Sequence, residues 1–288
     1  MIAYPYRIVI TVLMILVFVA STFAHEEPPK TAEEQADWEK NRTETAELGI
    51  HKQILWVHED GDSTLLLSST FDTNGNLVEE TIFDDADTTT IRYIYDDDYN
   101  WLEQLTYSQS GLTDRTAFIY DERGCAKEIR SYDHLGLPTG WLSYDYRLDE
   151  GTISLVKRDG LDSVLYHLVY TYEPDSNFKR MTEAAKSAPD GSLIMRTRNV
   201  YKNGKRIEKQ VFDENNQLAF AFSFTYTPSE DIDRTVRTNY DSTGASSIGF
   251  EQSYTYRNDG LPESIVQRDS DDAVIRDLRF TYEFFEQE

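Results

Sequence analysis

A single cysteine, Cys125, stands among 288 residues. With no second thiol the chain forms no internal disulfide, so its stability has to come from packing. Following Gly124, Cys125 reads as a small buried or half-buried strand residue. Basic side chains are scarce too, 28 Lys plus Arg against 52 Asp plus Glu, a formal charge of −24. That field repels phosphate backbones and anionic headgroups, which argues against nucleic acid as a partner and against docking on an acidic bilayer. It favours solubility, basic partners or loosely held cations.

The recognised chemical signatures are also missing. His25, His51, His58, His134 and His167 are scattered without the spacing that gathers three or four zinc ligands. There is no glycine-rich phosphate loop and no nucleophile-elbow phrase. Asp84-Asp85-Ala86-Asp87, Asp96-Asp97-Asp98 and Asp269-Ser270-Asp271-Asp272 offer oxygen ligands for Ca²⁺, but none has the calcium-loop register with its terminal Glu, and they read as solvated turn caps. With 52 carboxylates, the proximity of two of them identifies no acid/base pair. No catalytic, cofactor-binding or metal-binding residue is assigned and no cofactor is expected, so the chain reads as non-enzymatic.

Long apolar runs are confined to the N-terminus. Arg7 precedes an almost unbroken apolar stretch from Ile8 to Ala20, and Ser21-Thr22-Phe23-Ala24 supplies small residues before a cut. Residues 1–24 therefore read as a secretory signal peptide, with an uncleaved anchor as the alternative. No Cys near the cut offers a lipid attachment point. Residues 25–50 form an acidic linker and a helix: Thr31 and Glu34 make a capping box and Gly49 is placed to end it. Trp38 and Leu48 give that helix a thin apolar face, suited to a stalk or a lid. Asn41-Arg42-Thr43 fits a glycosylation acceptor pattern.

From 51 to 288 the chain repeats itself. Aromatic residues followed by Asp or another polar residue recur at Phe71, Phe83, Tyr95, Tyr107, Tyr120 and Tyr132, spaced 12, 12, 12, 13 and 12 apart. Every second copy is stronger, as in Tyr93-Ile94-Tyr95, Phe118-Ile119-Tyr120, Tyr144-Asp145-Tyr146, Tyr170-Thr171-Tyr172, Phe224-Thr225-Tyr226, Tyr254-Thr255-Tyr256 and Phe280-Thr281-Tyr282. The true unit is thus a pair about 25 residues long. Period-2 alternation, as in Leu218, Phe220, Phe222, Phe224 and Tyr226, marks β-strands. The turns follow an Asp-x-x-Gly plan in which the Asp accepts backbone N–H groups and the Gly supplies a positive φ. Seventeen or 18 strands are expected, with the turns of the strong copies on one rim and the tyrosines on the concave or inner face. The expected fold is all-β: a long antiparallel β-meander of tandem hairpins forming a curved or partly closed sheet, with one N-terminal helix.

The phrases Phe71-Asp72 with Gly75 and Leu77, Tyr120-Asp121 with Gly124, Tyr132-Asp133 with Gly136, Phe212-Asp213 with Leu218, Tyr240-Asp241 with Gly244, and Tyr256 with Gly260 and Leu261 resemble the YD repeats of the RHS family. The likeness spreads over about 54 to 284. It implies a wound β-sheet with a surface or secreted role and carries over no catalytic residue.

These features lead to an exported β-repeat scaffold for binding at the cell envelope, in the periplasm or outside the cell. Its partner would be a protein, glycan or lipid, and it would meet the membrane only through an uncleaved N-terminal segment. Two alternatives stand beside it. One is a half-barrel carrier in which Phe220, Phe222, Phe224, Tyr166, Tyr170 and Tyr254 enclose an apolar ligand. The other is an outer-membrane β-barrel, which the charged Lys127, Glu128 and Arg130 make difficult.

Overall fold

The computed structural model describes Glu39 and residues 42–59, 62–84, 87–174 and 180–286. The signal peptide and the capping box at Thr31 and Glu34 lie outside these. Eighteen strands follow one another in a single antiparallel sheet: β1 (Ile50–Glu59), β2 (Asp62–Phe71), β3 (Leu77–Asp84), β4 (Asp87–Tyr95), β5 (Trp101–Ser108), β6 (Gly111–Tyr120), β7 (Ala126–Asp133), β8 (Pro138–Arg147), β9 (Thr152–Asp159), β10 (Val164–Tyr172), β11 (Met181–Ser187), β12 (Leu193–Lys202), β13 (Lys205–Phe212), β14 (Leu218–Tyr226), β15 (Ile232–Tyr240), β16 (Ser246–Tyr256), β17 (Pro262–Arg268) and β18 (Val274–Phe284). Every strand pairs with its sequence neighbours, and β1 also pairs with β18, from Ile50 opposite Phe284 to His58 opposite Asp277. The sheet therefore closes. The expectation of a curved or partly closed sheet is corrected to a complete barrel, which removes both edges that an open meander would expose.

Because side chains alternate across each strand, one parity faces inward throughout. Leu55, Ile153, Leu155, Ile265 and Leu278 are at most 1 % exposed. In a one-layer wall only the barrel's own interior can hide them. They fall into two cores half a circumference apart. One gathers Leu55, Leu67, Tyr254, Ile265, Leu278 and Phe280 around the β1–β18 seam. The other gathers Leu142, Ile153, Leu155, Leu168, Tyr170, Tyr172 and Ala184 on β8–β11.

Nine hairpins, β1–β2 through β17–β18, make up the ring, and each ends its second strand on a ring side chain: Phe71, Tyr95, Tyr120, Tyr146, Tyr172, Tyr201, Tyr226, Tyr256 and Tyr282. Seven of these tyrosines donate a hydrogen bond back across their own hairpin, to a carbonyl at the mouth of its first strand. Tyr95 reaches Leu77, Tyr120 reaches Trp101, Tyr146 reaches Ala126 and Tyr201 reaches Met181. Tyr226 reaches Arg206, Tyr256 reaches Ile232 and Tyr282 reaches Pro262, all seven at 2.7–3.1 Å. Burial pushes the hydroxyls of Tyr95, Tyr120 and Tyr282 well above the usual phenol range, so they remain donors. Phe71 has no hydroxyl and packs instead against Ile50 and Leu261.

The turns share one chemistry as well. Eleven of them, at 72–76, 96–100, 121–125, 133–137, 159–163, 188–192, 213–217, 227–231, 241–245, 257–261 and 269–273, carry the same pair of backbone bonds with a positive φ at the fourth residue. This is a type I turn closed by a G1 bulge. Where the first residue is Asp, its Oδ1 usually accepts the N–H groups two and four residues on, as at Asp72, Asp96, Asp121 and Asp133. The two rims use the loop differently. On the tyrosine rim its last residue is buried at Asn76, Cys125, Asp231 and Leu261. On the opposite rim Leu137, Ser163, Ser192, Gln217, Ala245 and Ala273 are exposed.

A short helix over 42–47, ended by Gly49 at φ +67° as expected, lies on the tyrosine rim. An Arg42 guanidinium nitrogen donates to the Asn74 carbonyl, and the group stacks 4.0 Å from the Tyr99 ring centroid. Gly75 makes the approach possible, since a Cβ there would stand 2.0 Å from the Arg42 carbonyl oxygen.

Replacing Tyr146 by Phe removes one clamp and should cost about 1 kcal/mol, measured as a lowered midpoint in chemical denaturation. Gly75→Ala and Gly124→Ala impose the same strain at φ +77°, but nothing lies within 4 Å of a Cβ at Gly124. The Gly75 variant should therefore be the less stable of the two, and only it should expose 42–48 to limited proteolysis.

Candidate functional site

The inner wall is aromatic and, over half its circumference, basic. The strand register sets Ile153, Tyr170, Ala184, Thr197, Val211, Phe220 and Asn239 in one lateral row, and Asn199, Lys209, Phe222, Arg237 and Phe250 in the next. The six residues expected to line an apolar face do share it. Tyr170 and Tyr254 are buried in the two cores, whereas Tyr166, Phe220, Phe222 and Phe224 keep accessible surface. Since these rings face inward, that surface belongs to the lumen. The side of the barrel around β14 is thus unfilled where the cores at β1 and β9 are packed.

Arg237 sits among these rings. Its Nε donates to Asn239 Oδ1 at 2.9 Å, and its guanidinium lies 4.5 Å from the Phe220 centroid and 6.0 Å from that of Phe250. Phe220 and Phe222 meet edge to face at 5.6 Å, and Phe222 and Phe250 lie 6.2 Å apart. Gly249 leaves space for the Asn239 amide, which would lie 2.7 Å from a Cβ at that position. Lys209 stands opposite Phe222 in the register. Loss of bulk water, with Arg206 adding repulsion, lowers its ammonium pKa to about 7. Toward the opposite rim, Lys157 is in register with Tyr166, over whose ring the Lys186 ammonium lies at 3.6 Å.

On the other wall the inward polar groups hydrogen-bond in two sets, one between β1 and β18 and one across β2, β3 and β4. Gln53 donates weakly to the Tyr282 hydroxyl at 3.4 Å, Ser69 donates to Glu80 at 3.4 Å, and Tyr93 donates to Glu80 at 2.5 Å. Glu80 is 4 % exposed. Burial raises its carboxyl pKa, opposed by the bonds from Tyr93 and Ser69.

The outer wall is of a different character. Arg92 pairs with Glu79, Arg115 with Glu103, Arg130 with Glu128, Arg147 with Asp145, Arg234 with Glu251 and Arg279 with Asp277. These pairs occupy the outward parity along the strands. Each exposed pair contributes little to stability, but together they spread charge of both signs over the outward face. Lys127, Glu128 and Arg130, the charges that count against an outer-membrane barrel, flank an inward Ile129 that packs on the β8–β11 core.

The acidic turn clusters are structural where described. Asp96 and Asp269 accept backbone N–H groups in their own turns, and Asp85 lies outside the described residues. His51 and His58 lie toward opposite ends of β1, His134 follows β7 and His167 is on β10; His58 Nδ1 meets the Ser63 hydroxyl at 2.8 Å. No group of three His, Cys, Asp or Glu suited to a metal occurs among the described residues. Cys125 is buried at the end of its turn, one residue before β7. Sequence reasoning missed Arg237, Lys209, Lys157 and Lys186 as inward residues. The usable signal was parity, since Lys209 is two residues from the inward Val211.

No family model matches the chain, and no curated protein matches it. Among solved structures it is similar to a porin-like protein from Bacteroides uniformis, at 13 % identity and TM-score 0.45, covering 82 % of this chain and 97 % of that one. A second porin-like protein, from Bacteroides vulgatus, gives 10 % identity and TM-score 0.31 over 81 % and 98 %. The Photorhabdus luminescens Tc holotoxin pore gives 12 % identity and TM-score 0.33 over 76 % of this chain and 13 % of that one. With every one of these TM-scores below 0.5, the barrel assignment rests on the chain's own strand pairing.

Because the Lys209 pKa is near 7 in the folded chain and close to 10.5 when unfolded, the unfolded chain binds the extra proton between those values. Stability contributed at this position is therefore present above pH 10.5 and lost as pH falls toward 7. Lys209→Met should stabilise the protein at pH 6 and lose that advantage as pH rises through this window, as read by denaturant midpoints.

Proposed function

We propose that this is an exported, non-enzymatic barrel of the cell envelope that stands in water and holds an apolar ligand in its lumen. One observation carries the reading: a closed wall charged and ion-paired on the outside encloses rings that keep accessible surface inside. Apolar surface left unfilled within a barrel is where an apolar ligand gains most by leaving water. The nine hairpins, eight ended by tyrosine and one by Phe71, also support kinship with YD repeats, here wound into a small closed ring.

The closed, even-stranded barrel is equally what an outer-membrane protein requires, and this favours a membrane-spanning reading as the second choice. It would place Arg92, Arg115, Arg130 and Arg234 against lipid, where each basic side chain near the midplane costs about 2–4 kcal/mol. Purification of the mature protein without detergent, followed by solvent extraction and mass spectrometry, tests the choice. A soluble monodisperse protein that carries or takes up an apolar molecule is expected. A requirement for detergent would favour the membrane barrel, and a soluble protein that takes up none would return the scaffold reading.

A further inference from the structure

Twelve arginines among the described residues pair with a carboxylate: Arg92, Arg115, Arg123, Arg130, Arg147, Arg158, Arg180, Arg196, Arg234, Arg257, Arg268 and Arg279. In a chain with 52 acids and 28 bases, an acidic partner is the default for any guanidinium. Arg237, partly withdrawn into the lumen, has none among the described residues. From β10 through β16 no acidic residue occupies an inward register position among them either. The inward charges on β10–β15 are Lys186, Arg206, Lys209 and Arg237, all cationic, and Lys157 on β9 stands beside them.

The Arg237 fork is held for use from outside its own strand. Asn239 takes the Nε–H, and Phe220 and Phe250 flank the guanidinium. An arginine has five N–H donors, so the four on its Nη atoms remain for an acceptor that the described wall does not supply. A planar carboxylate fits that end of the fork with two parallel charge-assisted bonds. Phe220, Phe222 and Phe250 provide an apolar surface beside it. Lys157 and Lys186, nearer the opposite rim, give an anion an attractive path inward through a molecule whose net field would otherwise repel it.

We propose that the lumen binds a long-chain carboxylate, its head on Arg237 and its apolar body along Phe220, Phe222 and Phe250. This rests on the lumenal reading above and adds the charge of the ligand to it. The test is titration calorimetry of the delipidated full-length mature protein with oleate and with oleyl alcohol, both below their aggregation limits. Oleate should bind at least tenfold more tightly than the alcohol. Arg237→Gln should bring oleate down to the alcohol's affinity and leave the alcohol unchanged, and Asn239→Ala should do the same in part, a check that survives if the first variant does not fold. Arg234→Gln, which removes an outward guanidinium, should alter neither ligand. Equal binding of acid and alcohol by the native protein would overturn the carboxylate proposal while leaving the lumenal reading intact. Binding of neither would overturn both.

Discussion

The structure depends on the pairing of β1 with β18. A single sheet has no second layer to cover its apolar parity, and 18 open strands would leave two edges free to pair with other chains. Closure answers both at once. It turns the apolar parity into an interior, and it gives every strand a hydrogen-bonded neighbour on each side. The two packed cores, around the seam and on β8–β11, fall where the wall most fully covers itself, and the stretches between them keep space.

Much of this was legible because it is local. The spacing of about 12 residues, the Asp-x-x-Gly turns and the tyrosine ending each pair are short-range patterns, and they predicted the hairpins, the strand number and the inward rings. Closure was not legible, since Ile50 meets Phe284 through the sum of twist and bulges along the whole ring, and no local phrase encodes that sum. Nor was the tyrosine clamp: Tyr120 and Trp101 are 19 residues apart, and only the register places that hydroxyl beside that carbonyl. The lumenal cations were hidden for a related reason. In Arg206-Ile207-Glu208-Lys209-Gln210 the charges look evenly spread, and only the parity shared with the inward Val211 sends Lys209 inward and Glu208 outward.

Charge sorting follows from the same parity. Acidic groups dominate the composition, yet they concentrate on the outer wall and at the turns, where Asp residues cap loops and Glu residues meet arginines. Glu80 is a buried inward exception, and it is met by two hydroxyl donors. Around Arg237 the wall supplies rings and an amide but no acid. An overall acidic protein thereby acquires an interior whose polarity opposes its exterior.

Each clamp joins the two strands of one hairpin and never reaches into the next. A hairpin so clamped is consequently a self-locked brick, and seven of the nine in the ring carry that lock. Duplicating or deleting one brick would leave every other lock in place, so the bore of such a tube can evolve in discrete steps, with capacity set by how many bricks are laid.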